Sequence, residues 1–156
     1  MQNIPLSPEP SAPSETPNVN ANKPLYILDA FALMAYLQNE SGQAQVEKLL
    51  AQALNDECDV WMSLINWGEV VYSVAREQGD ELANQVIEDI DRAPISLIEI
   101  TRARVAVAAR IKSQHRVSYA DAFAIALAQE FSATVVTNDP EFRSVQESIS
   151  ILWLAG

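Results

Sequence analysis

The sequence predicts an α/β protein in which three layers (αβα) enclose a central, mainly parallel sheet. Short apolar runs alternate along the chain with longer segments whose apolar residues recur at helical spacing. Strands that alternate with helices are typical of βαβ units, which build parallel sheets with helices on both faces. The length of 156 residues and the hydrophobic fraction of 49% suffice for one such core and are too small for two.

The first 23 residues differ from the rest of the chain. Residues 1–23 interleave five prolines with Ser, Asn, Glu and Thr and hold few large apolar residues. This composition predicts a disordered tail. We therefore expect the folded domain to occupy residues 24–156.

Five segments have the composition of buried strands. Runs such as 25–28 and 133–137 are short and mainly apolar, and a polar residue follows each of them. A continuous apolar run of this length is typical of a strand that is buried on both faces of a parallel sheet. The predicted strands are 25–28, 60–62, 95–100, 133–137 and 149–153.

Six segments between these strands show helical periodicity. In the second of them, apolar residues recur at Val46, Leu49, Leu50 and Ala53, which predicts an amphipathic helix. Gly79 closes the third helix. The predicted helices are 30–37, 42–55, 66–78, 81–91, 101–114 and 119–131.

Four acidic residues stand where a strand-like apolar run ends and a helix begins: Asp29, Glu69, Asp121 and Asp139. In an open α/β sheet, the carboxyl ends of the strands converge on one crevice, where ligands bind. Four carboxylates in that crevice would repel each other, and a hard divalent cation that prefers oxygen ligands would relieve the repulsion. The pattern therefore predicts a metal site.

Helix capping is the alternative explanation for each acid taken alone. Segments 66–69 and 118–121 have the spacing of a capping box, although the second carries Asp at its last position. Asp29 could cap the helix that follows it, and Asp139 precedes Pro140, a favoured first helical residue. Because caps accept Ser, Thr and Asn as readily as acids, four acids together favour one shared site.

From residue 24 onward the chain resembles the PIN-domain family and, within it, the VapC-type toxin ribonucleases of toxin–antitoxin pairs. The matching motifs are Leu28-Asp29 before an apolar helix, Asn66-x-x-Glu69, Ser118-Tyr119-Ala120-Asp121-Ala122-Phe123-Ala124-Ile125-Ala126 and Thr137-Asn138-Asp139-Pro140-Glu141-Phe142. Their order and spacing are more specific than any one motif. The resemblance implies a PIN-like αβα sandwich with a parallel sheet.

The resemblance also implies the residues of an active site. It gives the catalytic and metal-binding roles to four acids: Asp29, Glu69, Asp121 and Asp139. It gives supporting roles to five neighbours: Asn66, Ser118, Thr137, Asn138 and Glu141. Within this set, Asn66 would orient Glu69, and Glu141 would act through a water molecule. The implied cofactor is Mg²⁺ or Mn²⁺.

The implied function is that of a metal-dependent endoribonuclease, the toxin component of a toxin–antitoxin pair, which hydrolyses RNA phosphodiesters with a metal-activated water. Two alternatives stay open. One is a non-catalytic PIN-like module that binds RNA or protein, which a missing core carboxylate would favour. The other is an Asp-based phosphatase on another α/β fold. Phosphatases of the haloacid-dehalogenase type need a second Asp two residues after the first, where this chain has Phe31.

One basic stretch precedes the third acidic motif. Residues 102–116 contain no acid, and Arg110, Lys112 and Arg116 stand in its second half. These residues could bind RNA phosphates beside the metal site, or they could form a solvated helix face that complements the helix dipole. Their position directly before residues 118–121 favours RNA.

The net charge of −11 bears on partners and location. Taken alone it argues against nucleic-acid binding, but bound cations would reverse the local field, and an acidic chain suits a basic protein partner. No apolar run reaches the ~18 residues that a membrane span needs. The absence of a signal-peptide pattern and the single Cys58 predict a cytoplasmic protein.

Four aromatic residues lie on helices that would flank the crevice: Phe31, Tyr36, Trp67 and Tyr72. Core packing is the favoured interpretation for Phe31, whereas Trp67 could line the crevice or the core. The resemblance implies a homodimer and a cognate antitoxin that lays an apolar segment into the groove of the site, a common docking mode.

Overall fold

The computed structural model describes residues 16–155, and this part contains five strands and six α-helices. The strands are β1 (Leu25–Leu28), β2 (Asp59–Ser63), β3 (Ser96–Ile98), β4 (Thr134–Thr137) and β5 (Ser150–Trp153). The helices are α1 (Ala30–Leu37), α2 (Gln43–Leu54), α3 (Leu64–Gln78), α4 (Asp80–Arg92), α5 (Arg102–Gln114) and α6 (Tyr119–Phe131), with a 3₁₀ helix at Pro140–Val145. No helix in the described part is long and apolar enough to cross a membrane. The predicted tail lies outside the described residues as far as residue 15, and its boundary at residue 23 stays a prediction.

The five strands form one sheet in the order β3-β2-β1-β4-β5, and every neighbouring pair is parallel. The chain starts at the centre with β1, moves outward through β2 and β3, and then returns to β4 on the other side of β1. The strand order therefore reverses between β1 and β4. In open α/β sheets, such a switch point opens a crevice at the carboxyl ends of the strands.

Helices cover both faces of the sheet, so the predicted three-layer α/β fold is confirmed. Ile27 and Val135 point to a core that α5 and α6 complete, and both are fully buried. Their sequence neighbours Leu28 and Val136 point to the opposite core, which α1 to α4 cover. This period-two alternation places apolar side chains on both faces of one strand and explains why the strand sequences are continuously apolar.

The start of α3 differs from the prediction. Helix α3 begins at Leu64 because the hydroxyl oxygen of Ser63 accepts a hydrogen bond of 3.2 Å from the Ile65 N–H. Asn66 therefore lies inside the first turn and does not cap the helix, which corrects the capping interpretation of segment 66–69. Ser63 is both the last residue of β2 and the helix cap, so no polar linker separates the two elements.

Candidate active site

The predicted acids gather at the switch point of the sheet. Asp29 directly follows β1, and Asp139 stands two residues after β4. Asp121 lies in the first turn of α6, and Glu69 lies in α3. Glu69, Asp121 and Asp139 line one cavity of about 420 Å³ together with Glu141. The fold thus brings side chains from four separate parts of the chain to the place where ligands bind in this class of sheet.

The tightest group of carboxylates consists of Asp121, Asp139 and Glu141. One oxygen from each residue lies within 4.8 Å of the others. The sequence assigned Glu141 a supporting role, yet among the described residues it belongs to this group, whereas Asp29 and Glu69 do not. Glu141 is held there because its Oε2 atom accepts a hydrogen bond of 3.2 Å from the Ser118 N–H.

Asp29, which we call the floor of the site, directly precedes the lining residue Ala30; it is not itself part of the lining and is only 1% exposed. Its Oδ1 atom accepts a hydrogen bond of 2.7 Å from the Ala32 N–H, and its Oδ2 atom accepts one from the Thr137 hydroxyl. Asp29 therefore does cap α1, as the alternative interpretation suggested. Burial raises the pKa of Asp29 to about 8, opposed by these two hydrogen bonds and reinforced by the charges of Asp121 and Asp139.

Asp121 does not cap α6, because Ser118 does so. The Ser118 hydroxyl oxygen accepts a hydrogen bond of 3.1 Å from the Asp121 N–H, which leaves the Asp121 carboxylate to the cavity. Burial raises the pKa of Asp121 to about 7, and the charges of Asp139, Glu69 and Glu141 act in the same direction. The predicted supporting residue Ser118 thus fixes the helix that carries Asp121.

The supporting residues around β4 form a chain of hydrogen bonds. The Thr137 hydroxyl oxygen accepts a hydrogen bond of 2.9 Å from the Asp139 N–H while it donates to Asp29. Asp139 in turn caps the 3₁₀ helix, because its Oδ1 atom accepts a hydrogen bond of 2.9 Å from the Glu141 N–H. Asn138 is half-buried within this loop. The loop therefore fixes the positions of Asp139 and Glu141 relative to Asp29.

Glu69 and Asn66 stand one turn apart on α3. Asn66 is fully buried, and its side-chain amide donates a hydrogen bond of 3.3 Å to the Ala120 carbonyl, which ties α3 to α6 beside Asp121. Burial raises the pKa of Glu69; the Asn66 amide opposes this rise and the charge of Asp139 adds to it. The orienting role of Asn66 toward Glu69 stays a prediction.

The structure places the four aromatic residues partly in the core and partly at the surface, and Phe31 differs from the prediction. Phe31 is 43% exposed and lines the same cavity as the carboxylates, so the interpretation of Phe31 as a core residue is wrong. Trp67 packs against the core under α1 to α4, and Tyr36 is half-buried in the same place. Tyr72 is exposed on α3, where the Arg76 guanidinium lies 5.6 Å from the centre of its ring. The sequence feature that could have placed Phe31 at the cavity is its position two residues after Asp29.

The predicted RNA-binding residues Arg110, Lys112 and Arg116 are all exposed. Within residues 16–155, none of the three forms an ion pair, whereas Arg104, on the same helix as Arg110 and Lys112, is paired with Glu130 at 2.9 Å. None of the three lines the carboxylate cavity. Their role in RNA binding stays a prediction.

The donor set fits a hard divalent cation. In the described part of the chain, the titratable side chains that line the cavity are all carboxylates, and Mg²⁺ and related ions prefer such oxygen ligands. Two oxygens that bind one cation at about 2.1–2.5 Å can be at most about 4–5 Å apart. The separation of up to 4.8 Å among Asp121, Asp139 and Glu141 meets this limit for the longer bonds and needs a small approach of the oxygens for the Mg²⁺ distance of about 2.1 Å.

The structure is similar to several solved toxin–antitoxin structures. VapBC2 from Rickettsia felis, bound to a DNA fragment of its promoter, matches with a TM-score of 0.64 and 18% identity over 83% of this chain and 98% of that chain. DNA-bound VapBC from Salmonella typhimurium matches with a TM-score of 0.62 and 18% identity over 83% and 97%. VapC20 from Mycobacterium tuberculosis, a Sarcin-Ricin loop cleaving toxin, matches with a TM-score of 0.58 and 16% identity over 77% and 94%. At these identities the similarity shows a common fold.

Sequence comparison assigns the family directly. No curated protein matches the chain. The family model that describes the PIN domain matches residues 26–148, which span every strand except the last and every helix. This chain belongs to the PIN-domain family.

Proposed function

We propose that this protein is a metal-dependent endoribonuclease of the VapC type, the toxin of a toxin–antitoxin pair. The convergence of the Asp121, Asp139 and Glu141 oxygens at the switch point of the sheet carries this proposal. Membership of the PIN-domain family and the likeness to VapC20, a toxin that cleaves the Sarcin-Ricin loop, support RNA as the substrate.

The proposed cofactor is Mg²⁺ or Mn²⁺. Asp121 and Asp139 would hold it with Glu141 at the mouth of the cavity, Glu69 would approach from α3, and Asp29 would contribute from the floor. When bound, such an ion supplies a water of lowered pKa and neutralises phosphate charge. This chemistry needs neither a histidine nor a nucleophilic side chain from the protein.

The raised pKa values of two acids have a consequence for this site. Asp29 and Asp121, with pKa values of about 8 and about 7, hold protons near neutral pH. A carboxylate must be deprotonated to bind a cation, so metal binding would release protons. We therefore expect the affinity for the cation to rise with pH between about 6 and 8.

The remaining parts of the proposal concern partners. Arg110 and Lys112 at the end of α5, and Arg116 just after it, would bind RNA phosphates. The VapBC structures of Rickettsia felis and Salmonella typhimurium are toxin–antitoxin assemblies, which supports a cognate antitoxin that binds over the groove of the site. We further propose a homodimer that acts in the cytoplasm.

The test is cleavage of single-stranded RNA by the purified full chain, with Mg²⁺ or Mn²⁺ and with EDTA. We expect cleavage only with metal, and a loss of at least about 100-fold in Asp121→Asn, since the metal-held water depends on the carboxylates. Asp29→Asn and Glu69→Gln should lose activity as well. Glu47→Gln, which neutralises an exposed acid on α2, is the matched control and should stay active.

Two results would contradict the proposal. Cleavage that persists in EDTA would exclude a metal-held water. A fully active Asp121→Asn variant that is folded and freed of contaminating nuclease would place the reaction elsewhere.

A further inference from the structure

Phe31 is the one exposed residue of α1, whose other residues are buried or half-buried. Helix α1 has the sequence AFALMAYL, and Ala30, Ala32, Leu33 and Ala35 all lie in the core. Phe31 by contrast is 43% exposed. Single exposed apolar residues are common on protein surfaces, so exposure alone would mean little. The position of the ring on the wall of the carboxylate cavity gives it significance.

The orientation of this ring is set by Asp29. The Asp29 carboxylate accepts a hydrogen bond of 2.7 Å from the Ala32 N–H and so fixes the first turn of α1. Packing of Leu33 against the core under α1 to α4 then fixes the rotation of the helix. Phe31 and Met34, one turn apart, are left facing the cavity. The acid at the floor and the aromatic ring on the wall are therefore positioned by the same helix turn.

The lining of the cavity is chemically mixed. It contains five carboxylates, on Glu40, Glu69, Asp121, Asp139 and Glu141, and the last three hold oxygens within 4.8 Å of one another. It also contains two large apolar side chains, Phe31 and Met34, both on α1. A ligand that fills the whole cavity of about 420 Å³ must bring a group that suits a carboxylate-held cation and also a flat apolar group.

We infer that Phe31 is a positioning residue on whose ring a base of the RNA substrate stacks beside the phosphate at the carboxylates. This inference rests on the proposed function and names its substrate more closely. A nucleotide carries both required groups in one unit, because its phosphate and its base are joined by a single sugar. An apolar protein segment would match only Phe31 and Met34 and would leave the carboxylates of the lining without a partner.

Stacking on Phe31 selects single-stranded RNA. A base in a duplex is already stacked and paired, whereas an unpaired base can be splayed out onto an aromatic side chain. Because every base has a flat face, stacking tolerates all four bases. The site should therefore require an unpaired nucleotide at one position next to the scissile bond and should read its identity only weakly.

The test combines substitutions of Phe31 with removal of single bases from the RNA. Binding of short unpaired RNA strands, in each of which one nucleotide lacks its base, is measured by fluorescence anisotropy in Mg²⁺ with proteins that keep all of their carboxylates, over times that are short compared with cleavage. Phe31→Leu keeps apolar bulk but removes the flat ring, and Phe31→Tyr keeps the ring. Tyr72→Leu removes an exposed aromatic ring that does not line the cavity and is the matched control.

We expect that one abasic position weakens binding to the Phe31 protein by about 5- to 150-fold, the range for one stacked base. Phe31→Leu should weaken binding of the intact strand by a similar factor. The affinity of Phe31→Leu for RNA should not fall further when that base is removed. Phe31→Tyr and Tyr72→Leu should behave like the parent protein.

Two outcomes overturn the inference. In the first outcome, Phe31→Leu binds intact RNA as well as the parent does. In the second, removal of the base weakens binding to Phe31→Leu by the same factor as binding to the parent. In either case no base stacks on the ring, and Phe31 is left as a contact for a protein segment. Cleavage separates this result from failure of the proposed function. If the wild type and Phe31→Leu cleave RNA with equal kcat/KM, only the stacking inference is refuted. If the wild type neither binds nor cleaves RNA, both the stacking inference and the proposed function are refuted.

Discussion

Thr137 donates its hydroxyl hydrogen to the carboxylate of Asp29 and thereby joins the two strands whose ends frame the cavity. The same hydroxyl oxygen accepts a hydrogen bond of 2.9 Å from the Asp139 N–H. One fully buried side chain thus connects the acid at the floor of the site to the loop that carries the acids at its mouth. We regard this link as the structural basis of the site geometry.

Thr137→Val should loosen the site with little change in side-chain shape. Valine can neither donate to Asp29 nor accept from the Asp139 N–H, and a buried polar group left without a partner costs about 1–3 kcal/mol. We expect the free energy of unfolding to fall by about this amount in urea titrations, and RNA cleavage to fall too. Thr134→Val, on the half-buried first position of β4, is the control. Equal losses in both variants would mean that the hydroxyl of Thr137 has no special role.

The fold could be predicted closely because its strands are buried on both faces and its helices have distinct apolar sides. All five strands and six α-helices lie where the sequence indicated. The 3₁₀ helix Pro140–Val145 was not predicted as an element, although Pro140 was recognised as a favoured first helical residue. A six-residue helix contains too few turns to show a periodicity.

The site could be predicted only in part. The sequence named the acids, but which oxygens approach each other depends on side-chain directions that spacing does not encode. Glu141 joins Asp121 and Asp139 because the Ser118 N–H, on a distant part of the chain, binds its carboxylate. The exposure of Phe31 was missed because α1 is apolar on nearly every side, so its rotation depends on packing against its neighbours.

The stability of the metal-free protein should fall as the pH rises from about 4 to about 8. Burial raises the pKa of Asp29 to about 8 and that of Asp121 to about 7, from about 3.8 in the unfolded chain. Between these values the folded state holds more protons than the unfolded state, so a rise in pH favours unfolding. Urea midpoints in EDTA at several pH values measure the slope, which should be shallower in Asp121→Asn. A wild-type stability that is flat or rises over this interval would refute the prediction.

Asp121→Asn should melt at a higher temperature than the wild type when both are free of metal. The substitution removes a buried charge that Asp139, Glu69 and Glu141 repel, and it keeps the size of the side chain. Thermal melts in EDTA at pH 8 test this difference, because Asp121, with a pKa of about 7, is then largely charged in the wild type. Glu47→Gln serves as the control for the change in net charge, since Glu47 is exposed on α2.

Added Mn²⁺ should reverse this order. A cation that binds only the folded state stabilises it by about 2.7 kcal/mol when its concentration is a hundredfold above the dissociation constant. The wild type should gain most of this stability and Asp121→Asn little of it. If Mn²⁺ leaves the wild-type melting temperature unchanged, the acids are separate structural residues and do not form one cation site.

The triple substitution of Arg110, Lys112 and Arg116 by Ala should weaken RNA binding and make it less sensitive to salt. Each phosphate contact that is lost should reduce the slope of log K against log salt concentration by about 0.7 for a single strand. The control replaces Lys48, Arg76 and Arg92 by Ala. These residues are exposed on α2, α3 and α4, so their substitution removes the same charge from other parts of the surface. Affinities measured over a range of salt concentrations separate the two sets. If both triple variants change the slope equally, the effect reflects net charge alone, and Arg110, Lys112 and Arg116 are ordinary solvated residues.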